Sequence, residues 1–374
     1  MRKKRKSENL PEPGVTRVAF VMLAKTLGGA ERRYVRLARA LAEDGVYVSL
    51  FANLETLELL RHNRISLGEI KVNMVRAKAW QNSGTSLANV GRRVSAVLGW
   101  LVLAAALRQG RLTHVHLVAN HGFFVLMMTL LSFRLPPMSF SIFGMETSKS
   151  GKRGWAEITA ISVACLGANK VDCLMPGYQD FAKRYTFARR RDRIRLAPGS
   201  FSNYADTQIA KKRDIEVVFL ARFAEGKGLS LLPGVKARLA ELGVTLHAVG
   251  AGPLRHQIGG PNVYETVNSY EILGRSKIFL SIQEFENYPS QSLLEAMASE
   301  CSIIATDVGW TRLLLDESVA ELVNPRVEDI VKSVIFLLNN PALASQRGKA
   351  GRQRVIEDHT IERYVSYFKK EILS

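Results

Sequence analysis

Two α/β domains in tandem, each a parallel sheet covered by helices, is the fold class this sequence predicts. Three observations point to it. Short apolar runs alternate with segments whose apolar residues recur at helical spacing. The alternation ends at Pro198-Gly199-Ser200 and restarts after a polar stretch, 202–214. A length of 374 residues corresponds to two domains at roughly 150 residues each. Strands separated by helices lie parallel and are buried on both faces, which explains why the runs are continuously apolar rather than alternating.

The first series opens with an apolar run at 17–23, broken by Gly28-Gly29. Tyr34, Leu37, Ala38 and Leu41 then repeat as one face of a helix that ends before Gly45. Strand, glycine turn, helix and a second strand at 46–51 follow from this pattern. Further strands are predicted at 115–118, 139–143, 171–175 and 194–197, with helices from about 123 and near 158–166. The second series has strands at 217–221, 246–250, 278–282 and 303–306. Its helices lie at 231–242 and near 292–298, with a turn at Gly226-Lys227-Gly228. A last helix, 361–372, shows Ile361, Tyr364, Val365 and Phe368 on one face and must pack on one of the domains. In open parallel sheets ligands bind at the carboxyl ends of strands, so two such domains facing each other are expected to form a cleft between their loops.

Composition narrows the class. With 47% apolar and 23% charged residues the chain is a folded globular protein, which excludes disordered and fibrous classes. Three cysteines, Cys165, Cys173 and Cys301, form no CxxC pair, so a disulfide framework and a cysteine zinc site are not expected, and a reducing compartment fits. The basic start from Arg2 to Lys6 is followed by polar residues and prolines instead of an apolar run, so it does not read as an export signal. Apolar runs at 94–107 and 123–133 fall short of the roughly 20 residues that span a bilayer. They read first as core helices, although the arginines framing both are also the pattern of surface-seeking segments.

The formal charge of +18 is unevenly placed. Residues 1–199 hold 32 Lys+Arg against 13 Asp+Glu, a net of +19, and the remainder holds 20 against 21, a net of −1. Arg189-Arg190-Arg191 and the run Lys149, Lys152, Arg153 contribute. Such a field concentrates anionic partners: phosphates, acidic lipid headgroups or nucleic acid.

No GxxxxGK[ST], no GxGxxG after the first strand and no HExxH is present, which removes the usual support for P-loop, dinucleotide and zinc-protease chemistry. Phosphate-compatible loops are present instead. Gly28-Gly29 lies between strand and helix, where backbone amides can approach an anion. Arg222 ends a strand and Lys227 opens the next helix, two fixed cations that could flank a diphosphate. Gly250-Ala251-Gly252-Pro253 follows another strand. The stretch from Phe279 to Ala298 runs from a strand into a carboxylate-bearing loop and then a helix, and such carboxylates can accept hydrogen bonds from sugar or ribose hydroxyls.

That last stretch, with Ile303 to Gly309 after it, resembles the donor-site signature of family 4 of the retaining glycosyltransferases. The remaining pieces are similar in order and spacing: Gly28-Gly29-Ala30-Glu31-Arg32 to the family's GGAE loop, His114-Val115-His116 to its histidine strand, Arg222 to Gly228 to its "GR…KG" segment, and Val249 to Leu254 to its "VGxGP" turn. The resemblance implies the GT-B fold, with two Rossmann-like domains and a C-terminal helix crossing back to the first. The expected division is a basic flexible N-terminus, 1–14, an acceptor domain, 15–200, joined by 361–374, and a nucleotide-sugar donor domain, 201–360.

It also implies a retaining, metal-independent transfer from a nucleotide sugar to a glycan or lipid-linked acceptor, with no cofactor. Arg222 and Lys227 would neutralise the leaving diphosphate, Glu295 would hold ribose and Glu286 the donor sugar. His116, with His114 as runner-up, would meet the sugar from the other domain, and Gly28, Gly29, Gly250, Ser290 and Leu294 would line the donor site. With the charge distribution, this places the protein in the cytoplasm, on the inner face of an anionic membrane, in polysaccharide or glycolipid synthesis. The alternatives are a non-catalytic binder of anionic surfaces or nucleic acid on the same fold, for which no nucleic-acid motif is found, and a nucleotide-sugar epimerase. Three departures stand out. Glu286 and Glu295 are nine residues apart where the family usually has eight, so that counting back from Glu295 selects Asn287 and counting on from Phe279 selects Glu286; Glu300 and Ser302 replace a usual glycine and proline, and Phe143 stands where many relatives have histidine.

Overall fold

A computed structural model describes residues 15–24, 28–77, 87–118, 130, 135–142, 155–207, 209–266, 268–284 and 290–374. The chain forms two compact units. The first takes 1–197 and returns for Val365–Ser374; the second is Pro198–Tyr364.

In the first unit, strands β1 (Arg17–Met22), β2 (Tyr47–Ala52), β3 (Lys71–Met74), β4 (His114–Val118), β5 (Met138–Ile142), β6 (Lys170–Cys173) and β7 (Ile194–Leu196) pair in the order β3-β2-β1-β4-β5-β6-β7. Every pairing is parallel. The helices are α1 (Gly29–Glu43), α2 (Leu54–His62), α3 (Leu87–Gln109), α4 (Trp155–Gly167) and α5 (Pro176–Arg184). Trp100, Leu103 and Leu107 of α3, Ile161 and Ala164 of α4, and Phe181 of α5 share one apolar cluster with Val115, Leu117 and Phe140 of the sheet. These three helices therefore cover the same face. On α3, Leu98, Leu101 and Val102 are exposed, so the expectation of a plain core helix holds for only one side of it. The helix expected from about 123 lies outside the described residues.

The second unit holds β8 (Ile215–Leu220), β9 (Leu246–Val249), β10 (Val263–Tyr264), β11 (Ser276–Ser281), β12 (Ser302–Thr306) and β13 (Ala320–Val323) in the order β10-β9-β8-β11-β12-β13, again all parallel. Its helices are α6 (Leu232–Glu241), α7 (Ser269–Arg275), α8 (Gln291–Ala298), α9 (Val327–Asn339) and α10 (Pro341–Asp358). Helices cover both faces of the central strands: Ile278 and Leu280 face α6 and α9, while Phe279 faces α8.

The last helix is shorter than the periodicity suggests. α11 covers Ile361–Tyr367, and Phe368–Ile372 winds as a π-turn. That turn belongs to the first unit, where Phe368 stacks on Phe20, the Tyr367 hydroxyl donates to Asp172 (2.8 Å), and Lys369 and Glu371 pair with Asp44 and Arg195 (both 2.8 Å). The usual glycine after α8 also has its reason. Glu300 sits at φ +56°, a left-handed conformation that glycine adopts without strain and that side chains resist.

Candidate functional site

Each sheet reverses its strand order once, between β1 and β4 in the first unit and between β8 and β11 in the second. Such switch points open a crevice at the carboxyl ends of the strands.

At the second unit's switch point, β8 runs into Arg222, which is exposed, and Lys227, which is mostly buried. The loop between them is pressed against β11. Gly228, at φ +84°, has no room for a side chain because a Cβ would overlap the Ile282 carbonyl, and the Gly226 carbonyl accepts from Glu284 N–H at 3.4 Å. Burial, followed by the charge of Arg222, pulls the Lys227 ammonium down to about 8. No carboxylate or hydrogen-bond acceptor pairs with either cation among the described residues. Two cations without a partner among the described residues have the chemistry to receive an anion.

Gly250 supports this loop. Its N–H donates to the Tyr264 carbonyl (2.9 Å), and a Cβ on it would overlap the Ala221 carbonyl. These contacts hold the backbone from which Arg222 projects.

Beyond β11, the chain enters α8. Its N-cap, Ser290, makes no capping bond; the hydroxyl meets Ser292 Oγ at 3.1 Å. The first-turn N–H groups of a helix have no intrahelical acceptor, and an anion there meets the positive end of the helix dipole. Leu294 is not one of those donors. Its N–H bonds to the Ser290 carbonyl (3.1 Å) and its side chain is buried in the core, so the expectation that Leu294 touches donor is corrected. Glu295, one turn into the helix, accepts from Ser269 Oγ (2.7 Å) and Gln291 Nε2 (3.2 Å), one on each carboxylate oxygen. A carboxylate is the acceptor type that ribose hydroxyls require. Glu286 lies outside the described residues, as does Phe143.

Gln283, two residues past β11, is a further candidate that motif reading passed over. It is only 7% exposed, and its Oε1 has no partner among the described residues. The backbone around it is fixed on both sides: Thr306 Oγ1 donates to its carbonyl (2.6 Å), and the next residue bonds to Gly226. Buried carboxamides are nearly always paired. A polar residue at a strand's carboxyl end, directly after the apolar Ile282, was the available clue.

The first unit treats its polar groups differently. Gly28 is the N-cap of α1, but its N–H donates to Glu31 Oε2 (2.8 Å), so only Gly29 of the pair has an amide not engaged in this way. His116 is fully buried in β4. Nδ1 meets Ser139 Oγ (2.8 Å) and Nε2 meets Ser141 Oγ (3.0 Å), while Phe20, Tyr34 and Phe368 pack around the ring. His114 Nε2 meets the same Ser139 hydroxyl at 2.8 Å. No ring atom of His116 is left for a sugar, so its expected contact with substrate is corrected to a core role. Burial lowers both histidines, His114 to about 4, so both are neutral at pH 7. Ser141 passes the network to Asp172 (2.7 Å), which also accepts from the hydroxyls of Tyr34 (3.0 Å) and Tyr367. The register that pairs His116 with Ser139 and Ser141 with Asp172 across β4, β5 and β6 explains this closure.

Comparison with known proteins agrees with this architecture. A family described as glycosyl transferase-like matches residues 235–370. No curated protein matches the sequence. Among solved structures, S. aureus TarM with UDP, α-GlcNAc-glycerol and fondaparinux superposes with a TM-score of 0.77 at 12% identity, over 96% of this chain and all of that one. Anabaena HepE with UDP and glucose gives 0.76 at 14%, covering 96% and 99%. Sucrose-phosphate synthase from Thermosynechococcus elongatus gives 0.73 at 15%, covering 95% and 98%. At these identities the likeness establishes the fold, two Rossmann-like domains of GT-B type.

Proposed function

We propose that the protein is a retaining glycosyltransferase that moves a sugar from a nucleotide-sugar donor to a glycan or lipid-linked acceptor. The observation that carries this reading is the unpaired Arg222–Lys227 cation pair at the β8–β11 switch point, on the same sheet edge as the uncapped start of α8 and the buried Glu295. The match to a glycosyl transferase-like family over 235–370 and the UDP held by TarM and HepE support it.

In this mechanism Arg222 and Lys227 meet the diphosphate and stabilise the charge that grows on it as the glycosidic bond breaks. Amides at the start of α8 donate to its oxygens. Glu295 fixes the ribose through its hydroxyls, and Glu286 and Gln283 hold the sugar. The acceptor hydroxyl attacks from the face the diphosphate leaves, and its proton passes to the leaving phosphate oxygen, which accounts for retention without an enzyme nucleophile. No metal ion is required, because the two cations take the role a divalent ion would have. The basic first unit fits an acceptor carried on an anionic membrane, at its cytoplasmic face, in polysaccharide or glycolipid synthesis.

A panel of UDP-, GDP- and ADP-sugars tests the reading by thermal shift and donor hydrolysis, with and without EDTA. At least one donor is expected to raise the melting temperature and be hydrolysed at an EDTA-independent rate. Failure of every donor to bind contradicts the proposal.

A further inference from the structure

The sequence places most of the positive charge in the first unit without saying which surface presents it. The stretch from α5 into the 3₁₀ turn Ala188–Arg193 contains Lys183, Arg184, Arg189, Arg190, Arg191 and Arg193 against the carboxylates Asp180 and Asp192. The structure sorts these cations into two groups. Arg190 donates to the Leu166 carbonyl at the end of α4 (2.7 Å) and Arg193 to the Ala168 carbonyl just past it (3.4 Å). Cations at the carboxyl end of a helix satisfy its orphan carbonyls and its dipole, so these two anchor the turn. Arg184, Arg189 and Arg191 remain exposed, and Arg191 reaches back only to the Thr186 carbonyl, at 3.4 Å through Nε.

Between the outward arginines stand two aromatic side chains that face water. Phe187 is 68% exposed and Tyr185 is 43% exposed, although Thr186 between them is buried. A phenylalanine held in water on an anchored turn, flanked by guanidinium groups, has the chemistry of a membrane interface. The ring enters the boundary between headgroups and acyl chains while the arginines meet lipid phosphates. A second, separate feature lies on the helical layer over the same face of the sheet. On α3, Leu98, Leu101, Val102 and Ala105 form an exposed stripe at i, i+3, i+4 and i+7, closed by the exposed Arg108 and Arg111. Among the described residues no helix is long and apolar enough to cross a membrane. An apolar stripe ending in arginines is suited to lying on a bilayer rather than spanning it.

We infer that the Tyr185–Arg191 turn is a membrane-docking element, with Phe187 as its apolar wedge and Arg184, Arg189 and Arg191 as its phosphate contacts, and that its partner is an anionic lipid bilayer. Single-stranded nucleic acid, which also uses aromatic and arginine contacts, would give no use to the aliphatic stripe on α3. This assignment does not depend on the donor chemistry proposed for the second unit.

The three native cysteines are buried, so Phe187→Cys can be labelled at one position with a polarity-sensitive fluorophore. Leu242→Cys, exposed on the second unit, serves as the control. Vesicles of phosphatidylcholine with 30% phosphatidylglycerol are expected to blue-shift the label at 187 and not at 242, and 0.5 M salt is expected to reverse the shift. In co-sedimentation, Arg189→Glu with Arg191→Glu is expected to weaken binding to these vesicles at least about tenfold, since each surface cation contributes about 1 kcal/mol. Circular dichroism checks that this variant keeps its fold. The inference is overturned if the label at 187 does not respond, if neutral vesicles act equally, if binding survives the charge reversal, or if only an oligonucleotide produces the shift.

Discussion

The two sheets follow the same parallel plan with one reversal of strand order, yet they dispose of their polar groups in opposite ways. In the first, β4 presents its histidine to serines on the neighbouring strand, and the series closes on Asp172 and two tyrosine hydroxyls. In the second, β8 and β11 lead to cations without carboxylates, a helix start without a cap and a buried carboxamide oxygen without a donor among the described residues. Closed polar networks stabilise a fold, whereas groups left open cost stability until something binds them. The difference supports the proposal that donor binds in the second unit, and in the first it gives a structural role to residues that look catalytic.

The sharpest break in this comparison is at Arg222. Arg222→Ala is expected to lower kcat/KM by about 10² to 10³-fold with an unchanged melting curve, because the interaction is made with the leaving group as charge develops. Lys227→Met should also abolish transfer while stabilising the ligand-free protein by about 1–2 kcal/mol, after discounting for the part of the side chain still in water. In the first unit, His116→Ala removes two hydrogen bonds and a packed ring, and a loss of about 3 kcal/mol in denaturant unfolding is expected. Activity per folded molecule should be retained. A catalytic His116 would show the reverse, a stable protein without turnover.

Acid separates the units further. His114 and His116 have folded values below the unfolded 6.5, so between pH 6.5 and about 4 the unfolded chain binds more protons. The stability they contribute is complete above pH 6.5 and declines as pH falls through that window. A calorimetric transition assigned to the first unit should move down accordingly. Gln283→Ala is a smaller test: about a tenfold loss in kcat/KM, with binding of the nucleoside diphosphate alone unchanged if the carboxamide holds the sugar.

Much of this was legible from sequence. Continuous apolar runs between glycine turns located the central strands, and Arg222 could be recognised because it follows a strand end; Lys227, expected at a helix start, lies instead in the loop before the N-cap Leu231 of α6. The short β3, β10 and β13 and the helices α2, α5, α7, α9 and α10 were missed: the strands are too short to show an apolar run, and the helical spacing of Ile330, Val331, Val334 and Leu337 in α9 was present but not followed. His116 was misread for a different reason. A strand histidine looks the same whether it faces ligand or core, and the partners that decide it, Ser139 and Ser141, lie more than twenty residues away. Glu300 shows the converse, a departure from the family pattern that keeps the glycine-like backbone.

The central claim, that the second unit's unpaired cations await a diphosphate, is tested most directly by calorimetric titration of UDP, GDP and ADP at pH 8 in buffers of different ionisation enthalpy. Free Lys227, near 8, is about half protonated there, and an anion beside it raises its affinity for protons. The expected result is uptake of about half a proton with the cognate nucleotide, absent in Lys227→Met. Binding without proton uptake, or equal binding by Lys227→Met, would contradict it.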